Sequence, residues 1–163
     1  MTLQKLNSMD RADFVEAIGW VFEHSPWVAQ QVYQGRPFAN LEALHCAMVD
    51  QVKAAPPEQQ VALLYAHPDL GTRARVSAAS RSEQSGAGLD HLTPEEFERL
   101  QRLNSAYRDK FGFPFLFAVK GRTKYDILEA LELRLENSPE EEHQEALQQV
   151  YRIAEFRLRD AIE

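Results

Sequence analysis

Apolar residues in this chain return every three or four positions and do not alternate over any useful length, a spacing that admits helices and offers no pair of strands. Phe14, Ala17, Ile18, Val21 and Phe22 form the first such stripe and predict an amphipathic helix. Ser25 and Pro26 then pair a capping hydroxyl with a ring suited to a first helical turn. They open a second helix through Trp27, Val28 and Val32, which Gly35, Arg36 and Pro37 keep short. Asn40 caps a third, with Leu41, Leu44, Met48 and Val52 on its inner stripe. Pro56 and Pro57 close it and start a fourth through Val61, Leu64 and Tyr65. That helix has to stop near His67, because Pro68 disfavours α conformation in the residue before it. Residues 71–79 are small and polar, with cations at Arg73 and Arg75, and read as a partly ordered connection.

Two starts are explicit. Thr93 and Ser138 are each followed by Pro-Glu-Glu, which puts a glutamate three positions after a capping hydroxyl. The first helix runs through Phe97, Leu100, Leu103 and Tyr107 to a stop at Gly112, and the second through Leu147, Val150, Tyr151, Ala154 and Leu158. Residues 125–135 support one more. The run FGFPFLFAV at 111–119 fits neither period and reads as a buried, non-helical connection. Its backbone N–H and C=O groups need partners, and a bound polar ligand could supply some of them. The expected fold class is all-α, in a single domain of 163 residues with one core.

A net charge of -7, spread over several segments, disfavours nucleic acid and anionic membranes as partners and leaves small molecules or proteins. Cys46 has no second cysteine to pair with, and its place on a helix beside Met48 reads as a core position. No window approaches the roughly 18 apolar residues of a membrane span. The first residues lack the basic start and apolar stretch of a signal peptide, and the last four carry no Ser-Lys-Leu address. A cytoplasmic, bacterial protein is the expectation.

His67 stands where a helix C-terminus, negative by its dipole, favours the protonated imidazole, so it could exchange a proton near neutral pH. It could equally do no more than bond the last helical carbonyls. Glu83 lies three residues after Ser80, the spacing of a capping box. On spacing alone that motif favours a helix start, yet Gln84, Gly86, Ala87 and Gly88 follow, and a first-turn carboxylate and amide facing a cleft is the alternative. Arg157, on the last helix, reads from composition as a solvated or salt-bridged surface residue. His24, His45, His91 and His143 show no metal-ligand spacing, and no nucleophile elbow, P-loop or dinucleotide fingerprint occurs.

Four stretches together resemble one family over nearly the whole chain: FEHSPWVA at 22–29, AHPDLG at 66–71, SRSEQSGAGL at 80–89 and YRDKFGFPFLFAVKG at 107–121. The family is that of 2-oxo-4-hydroxy-4-carboxy-5-ureidoimidazoline (OHCU) decarboxylases. The resemblance implies an all-α fold over residues 1–163, a homodimer, no cofactor, and release of (S)-allantoin in urate breakdown. It places His67 and Glu83 in the catalytic positions. It carries over Pro68, Ser80, Gln84, Phe115, Leu116, Phe117, Ala118 and Val119 as substrate-contacting positions, and Arg157 as a substrate anchor. Two other classes of function remain. A helical adaptor would expose the phenylalanines of 111–117 and keep His67 away from Glu83, whereas a hydrolase or isomerase of another ureide would use the same His and Glu.

Overall fold

The computed structural model describes residues 1–71 and 77–163. Among these are nine α-helices, two 3₁₀ turns and no strand, as the apolar spacing requires. The helices are α1 Leu3–Asn7, α2 Arg11–Ile18, α3 Trp27–Val32, α4 Leu41–Ala54, α5 Pro57–Tyr65, α6 Ala78–Gly86, α7 Pro94–Phe111, α8 Lys124–Arg134 and α9 Pro139–Ala161. They fall into two units, one of Met1–Ala66 with Tyr151–Glu163 and the other of His67–Val150.

In the first unit Phe14 and Ile18 of α2 are fully buried, and the stripe continues through Val21 and Phe22 after a 3₁₀ turn at Gly19–Val21. Leu44, Met48 and Val52 of α4, Leu64 of α5, and Ala154 and Leu158 of α9 complete the core. Asn40 caps α4 by accepting from the Ala43 N–H at 2.8 Å. Ser25 does not cap α3. Its hydroxyl donates to the Glu23 carbonyl at 2.9 Å, and Pro26 takes the cap position with no side-chain bond. Arg36 ties down the turn after α3: it donates to the carbonyls of Tyr33 at 2.9 Å and Asn7 at 2.8 Å and stacks 3.7 Å over the Tyr33 ring. Tyr65 is half exposed, and Cys46 is exposed rather than a core residue.

In the second unit Thr93 and Ser138 form the expected capping boxes, Thr93 with Glu96 and Ser138 with Glu141. A third box, Thr123 with Asp126, starts α8. Gly112 ends α7 in the left-handed region at φ 78°, which suits glycine. Phe97, expected on the inner stripe of α7, is exposed, whereas Leu100 and Tyr107 are buried. The connection expected at 71–79 is shorter than that, because Ala78 and Ala79 already belong to α6. Arg73 and Arg75 lie outside the described residues. No helix among the described residues is long and apolar enough to cross a membrane.

Candidate functional site

The segment after Gly112 is non-helical and inward. Phe113, Pro114, Phe115, Leu116, Ala118 and Val119 are buried, and Phe117 is half buried. Tyr107, itself fully buried, meets the rings of Phe111, Phe113 and Phe115 at 4.6, 5.9 and 5.4 Å between centroids. A surface display of phenylalanines, which the adaptor reading needs, is therefore absent at Phe113 and Phe115.

Several of the segment's backbone groups are satisfied from within the unit. Arg134 donates to the Leu116 carbonyl, the Ala118 N–H donates to Gln149 Oε1 at 2.9 Å, and the Val119 carbonyl accepts from the Arg122 N–H at 2.9 Å. Arg134 also stacks 4.5 Å over Phe115 and donates to Glu142. The Glu142 carboxylate is fully buried and accepts as well from the Tyr107 hydroxyl at 2.9 Å and from Asn137 at 3.1 Å. Desolvation pushes the Tyr107 phenol far above its ordinary value, so it remains a donor. A buried ion pair with this many hydrogen bonds fixes one geometry for the segment it supports.

On α6 the sequence reading needs correction. Ser77 is the N-cap, accepting from the Ser80 N–H at 3.1 Å, so Ser80 and Glu83 lie within the helix and form no capping box. Ser80, Glu83 and Gln84 are spaced i, i+3, i+4 and share one face. Ser80 and Gln84 are both buried and Glu83 is half buried, so this short helix turns a polar face inward. An inward polar face of this kind needs partners that an apolar core cannot give.

Gln84 finds one of them in the loop that begins at His67. Its Oε1 accepts from the Gly71 N–H at 3.0 Å, which fixes the amide's orientation because an N–H can only donate. Its Nε2 is then turned the other way, buried and without a hydrogen-bond partner among the described residues. His67 is buried, one residue past the Ala66 cap of α5, and Pro68 is half buried. Asp69 is held by both oxygens on the Arg108 Nε, at 2.9 and 3.0 Å, and the Leu70 carbonyl accepts from Asn104 at 3.0 Å. The structure thus ties α6 to the His67 loop through Gln84, and it adds Asp69, Asn104 and Arg108 to the residues read from sequence. Asp69 and Arg108 fall within the stretches quoted above, but none of the three is marked there by its pairing, because the partners are 34 and 39 positions apart in the chain.

Arg157 lies in the first unit and is not a surface residue. It is buried and donates to Glu23 Oε2 at 2.8 Å and to the Trp20 and Val21 carbonyls at 3.3 and 3.4 Å. Glu23 is equally buried. Among the described residues no three His, Cys, Asp or Glu side chains converge as a metal site.

Helices alone among the described residues, with a buried polar helix face tied to a loop that begins at a buried histidine, define the class as a small all-helical protein with a candidate polar site. Within that class the particular family is given by comparison. The family model for OHCU decarboxylase matches residues 7–159. The 2-oxo-4-hydroxy-4-carboxy-5-ureidoimidazoline decarboxylase of Haloferax volcanii is 46% identical over 158 residues, covering 97% of this chain and 94% of that protein. A crystal structure of (S)-allantoin synthase superposes with a TM-score of 0.83 at 35% identity, covering 99% of this chain and 54% of the other. A crystal structure of OHCU decarboxylase in the presence of (S)-allantoin gives a TM-score of 0.69 at 28% identity, over 82% of this chain and 89% of that one. The chain belongs to the OHCU decarboxylase family.

Proposed function

We propose that this protein decarboxylates 2-oxo-4-hydroxy-4-carboxy-5-ureidoimidazoline to (S)-allantoin in urate degradation, without a cofactor, as one domain over residues 1–163 and as a homodimer. One observation carries the reading: the face of α6 that bears Ser80, Glu83 and Gln84 is bound through Gly71 to the loop that begins at His67. Family membership supplies the substrate.

The chemistry suits a site made only of side chains. The substrate carries a hydroxyl and a carboxylate on one ring carbon, next to a carbon doubly bonded to nitrogen. As CO₂ leaves, its bonding pair forms a carbon–carbon double bond, and the imine pair moves to nitrogen, which takes a proton. The hydroxyl then gives up its proton to become a carbonyl while the neighbouring carbon is protonated on one face. The substrate's own imine accepts the electrons, so no external electron sink is needed.

What is left for the protein is orientation and proton transfer. His67, with Glu83, handles the hydroxyl proton and the later protonation. Gln84, whose oxygen is committed to Gly71, offers only N–H groups and therefore reads a carbonyl of the ligand. Ser80, one turn before it on the same face, serves either polarity, and Pro68 closes the wall beside His67. Of the run Phe115, Leu116, Phe117, Ala118 and Val119, the Leu116 carbonyl and Ala118 N–H are already bonded within the protein. Contact with substrate therefore falls to the other backbone groups and to the side chains. Arg157, whose guanidinium is oriented by Glu23 and the Trp20 and Val21 carbonyls, anchors a carboxylate or carbonyl of the substrate.

The test is to supply freshly generated substrate to protein dialysed against a chelator, and to follow CO₂ release and the handedness of the product. Full turnover to (S)-allantoin is expected. Turnover that needs an added metal or cofactor, or turnover of another ureide such as hydroxyisourate or allantoin in its place, would contradict the proposal. Sedimentation is expected to give twice the mass of the chain.

A further inference from the structure

The three residues that follow His67 and Pro68 are each held by a different kind of bond. The Asp69 carboxylate accepts through both oxygens from the single Arg108 Nε, the Leu70 carbonyl takes a hydrogen bond from Asn104, and the Gly71 N–H gives one to Gln84. Asn104 and Arg108 are four apart on α7, so they project from one face of a helix that a capping box and a glycine stop hold at its two ends. Gly71 is at φ 82°, and a Cβ there would lie 2.6 Å from Leu100 Cδ2, which shows how closely the loop is laid against the same helix. Asn104 is buried, with its Nδ2 spent on Leu70. An asparagine placed inside a unit that also carries Leu100 and Tyr107 on the same helix serves no apolar packing.

We infer that Asn104 and Arg108 are positioning residues for His67. They fix the path of the chain from His67 to Gly71 against α7, and so fix the direction in which the imidazole faces the ligand. The inference rests on the reading above, in which His67 moves protons. Arg108 bonds the Asp69 carboxylate and Asn104 the Leu70 carbonyl, so both act on the loop. Their effect passes through the two or three residues between the contacts and His67, and it falls on the chemical step rather than on binding.

The test compares wild type with Asn104→Asp, which keeps shape and loses the donor, and Arg108→Lys, which keeps charge and loses the Nε donor held in the rigid guanidinium plane. Each is read by steady-state kinetics and by the ring ¹H–¹⁵N signals of labelled histidine. The expected result is a fall in kcat of about ten- to hundredfold with KM within about threefold. The His67 ring signals should move while those of His24, His45, His91 and His143 stay in place. A variant that folds and keeps kcat within about twofold of wild type would overturn the inference, as would a loss of kcat with the His67 signals unmoved. Arg108 is 40% exposed, so Arg108→Lys keeps the test in hand if Asn104→Asp does not fold. Should wild type itself fail to turn over the ureidoimidazoline, the proposed function falls, and the histidine signals alone then decide whether the two residues set the imidazole.

Discussion

Arg157 donates to Glu23 across 2.8 Å, 134 positions apart in the chain, with side-chain exposures of 3% and 0%. The proposed substrate anchor is thus set in place by a buried carboxylate and two backbone carbonyls before any ligand arrives. Removing one member of such a pair leaves an uncompensated buried charge. Glu23→Ala is expected to lower stability by about 3–5 kcal/mol in urea denaturation. A change below about 1 kcal/mol would mean that the pair is solvated in solution.

Arg157→Lys keeps the charge and loses the fork. It is expected to raise KM with a smaller effect on kcat, because a lysine cannot serve Glu23, two carbonyls and a ligand from one nitrogen. Saturation curves that superpose on wild type would remove the anchor role.

Tyr107→Phe deletes the hydroxyl that donates to buried Glu142 and leaves the ring contacts in place. A hydrogen bond to a charged group of this kind contributes about 1.5–3 kcal/mol, which is the expected loss on chemical denaturation. Unchanged stability would show that Arg134 and Asn137 alone satisfy the carboxylate.

The capping boxes give a signed pH dependence. The Glu141 carboxyl is held below its ordinary 4.5 by hydrogen bonds from the Ser138 backbone and hydroxyl, and that of Glu96 is lowered by Lys124 first and by the Thr93 backbone second. A lowered folded value means stability that is fully present above the unfolded value and is lost as pH falls through the folded one. Melting temperatures of wild type and Glu141→Gln should therefore converge as pH drops from 6 toward 3. Parallel curves would show that the carboxylate's charge plays no part in the cap.

Much of the helical pattern is legible in the sequence because its signals are local. Asn40, Thr93 and Ser138 cap helices from three residues away, and Gly112 ends α7 through its own backbone freedom. Ser25 and Ser80 have the spacing of caps and do not cap, for local reasons: Ser25 is bonded to the Glu23 carbonyl, and Ser77 starts α6 one turn earlier. The identities of His67, Glu83 and Gln84 can be read from motifs. What holds them cannot, since Asn104 with Leu70, Arg108 with Asp69 and Gln149 with Ala118 meet only after the chain has packed. Arg157 reads as surface from composition because nothing local shows that Glu23 will be buried beside it.

The central claim is that His67 and Glu83 move the protons of the reaction, and product handedness tests it most directly. Circular dichroism of freshly generated substrate would follow the appearance of (S)-allantoin with wild type, His67→Ala and Glu83→Ala, each checked for native helix content. Loss of general acid–base catalysis is worth about 10²- to 10⁴-fold, so both variants should fall at least a hundredfold while remaining folded. Folded variants that make (S)-allantoin at the wild-type rate would contradict the account.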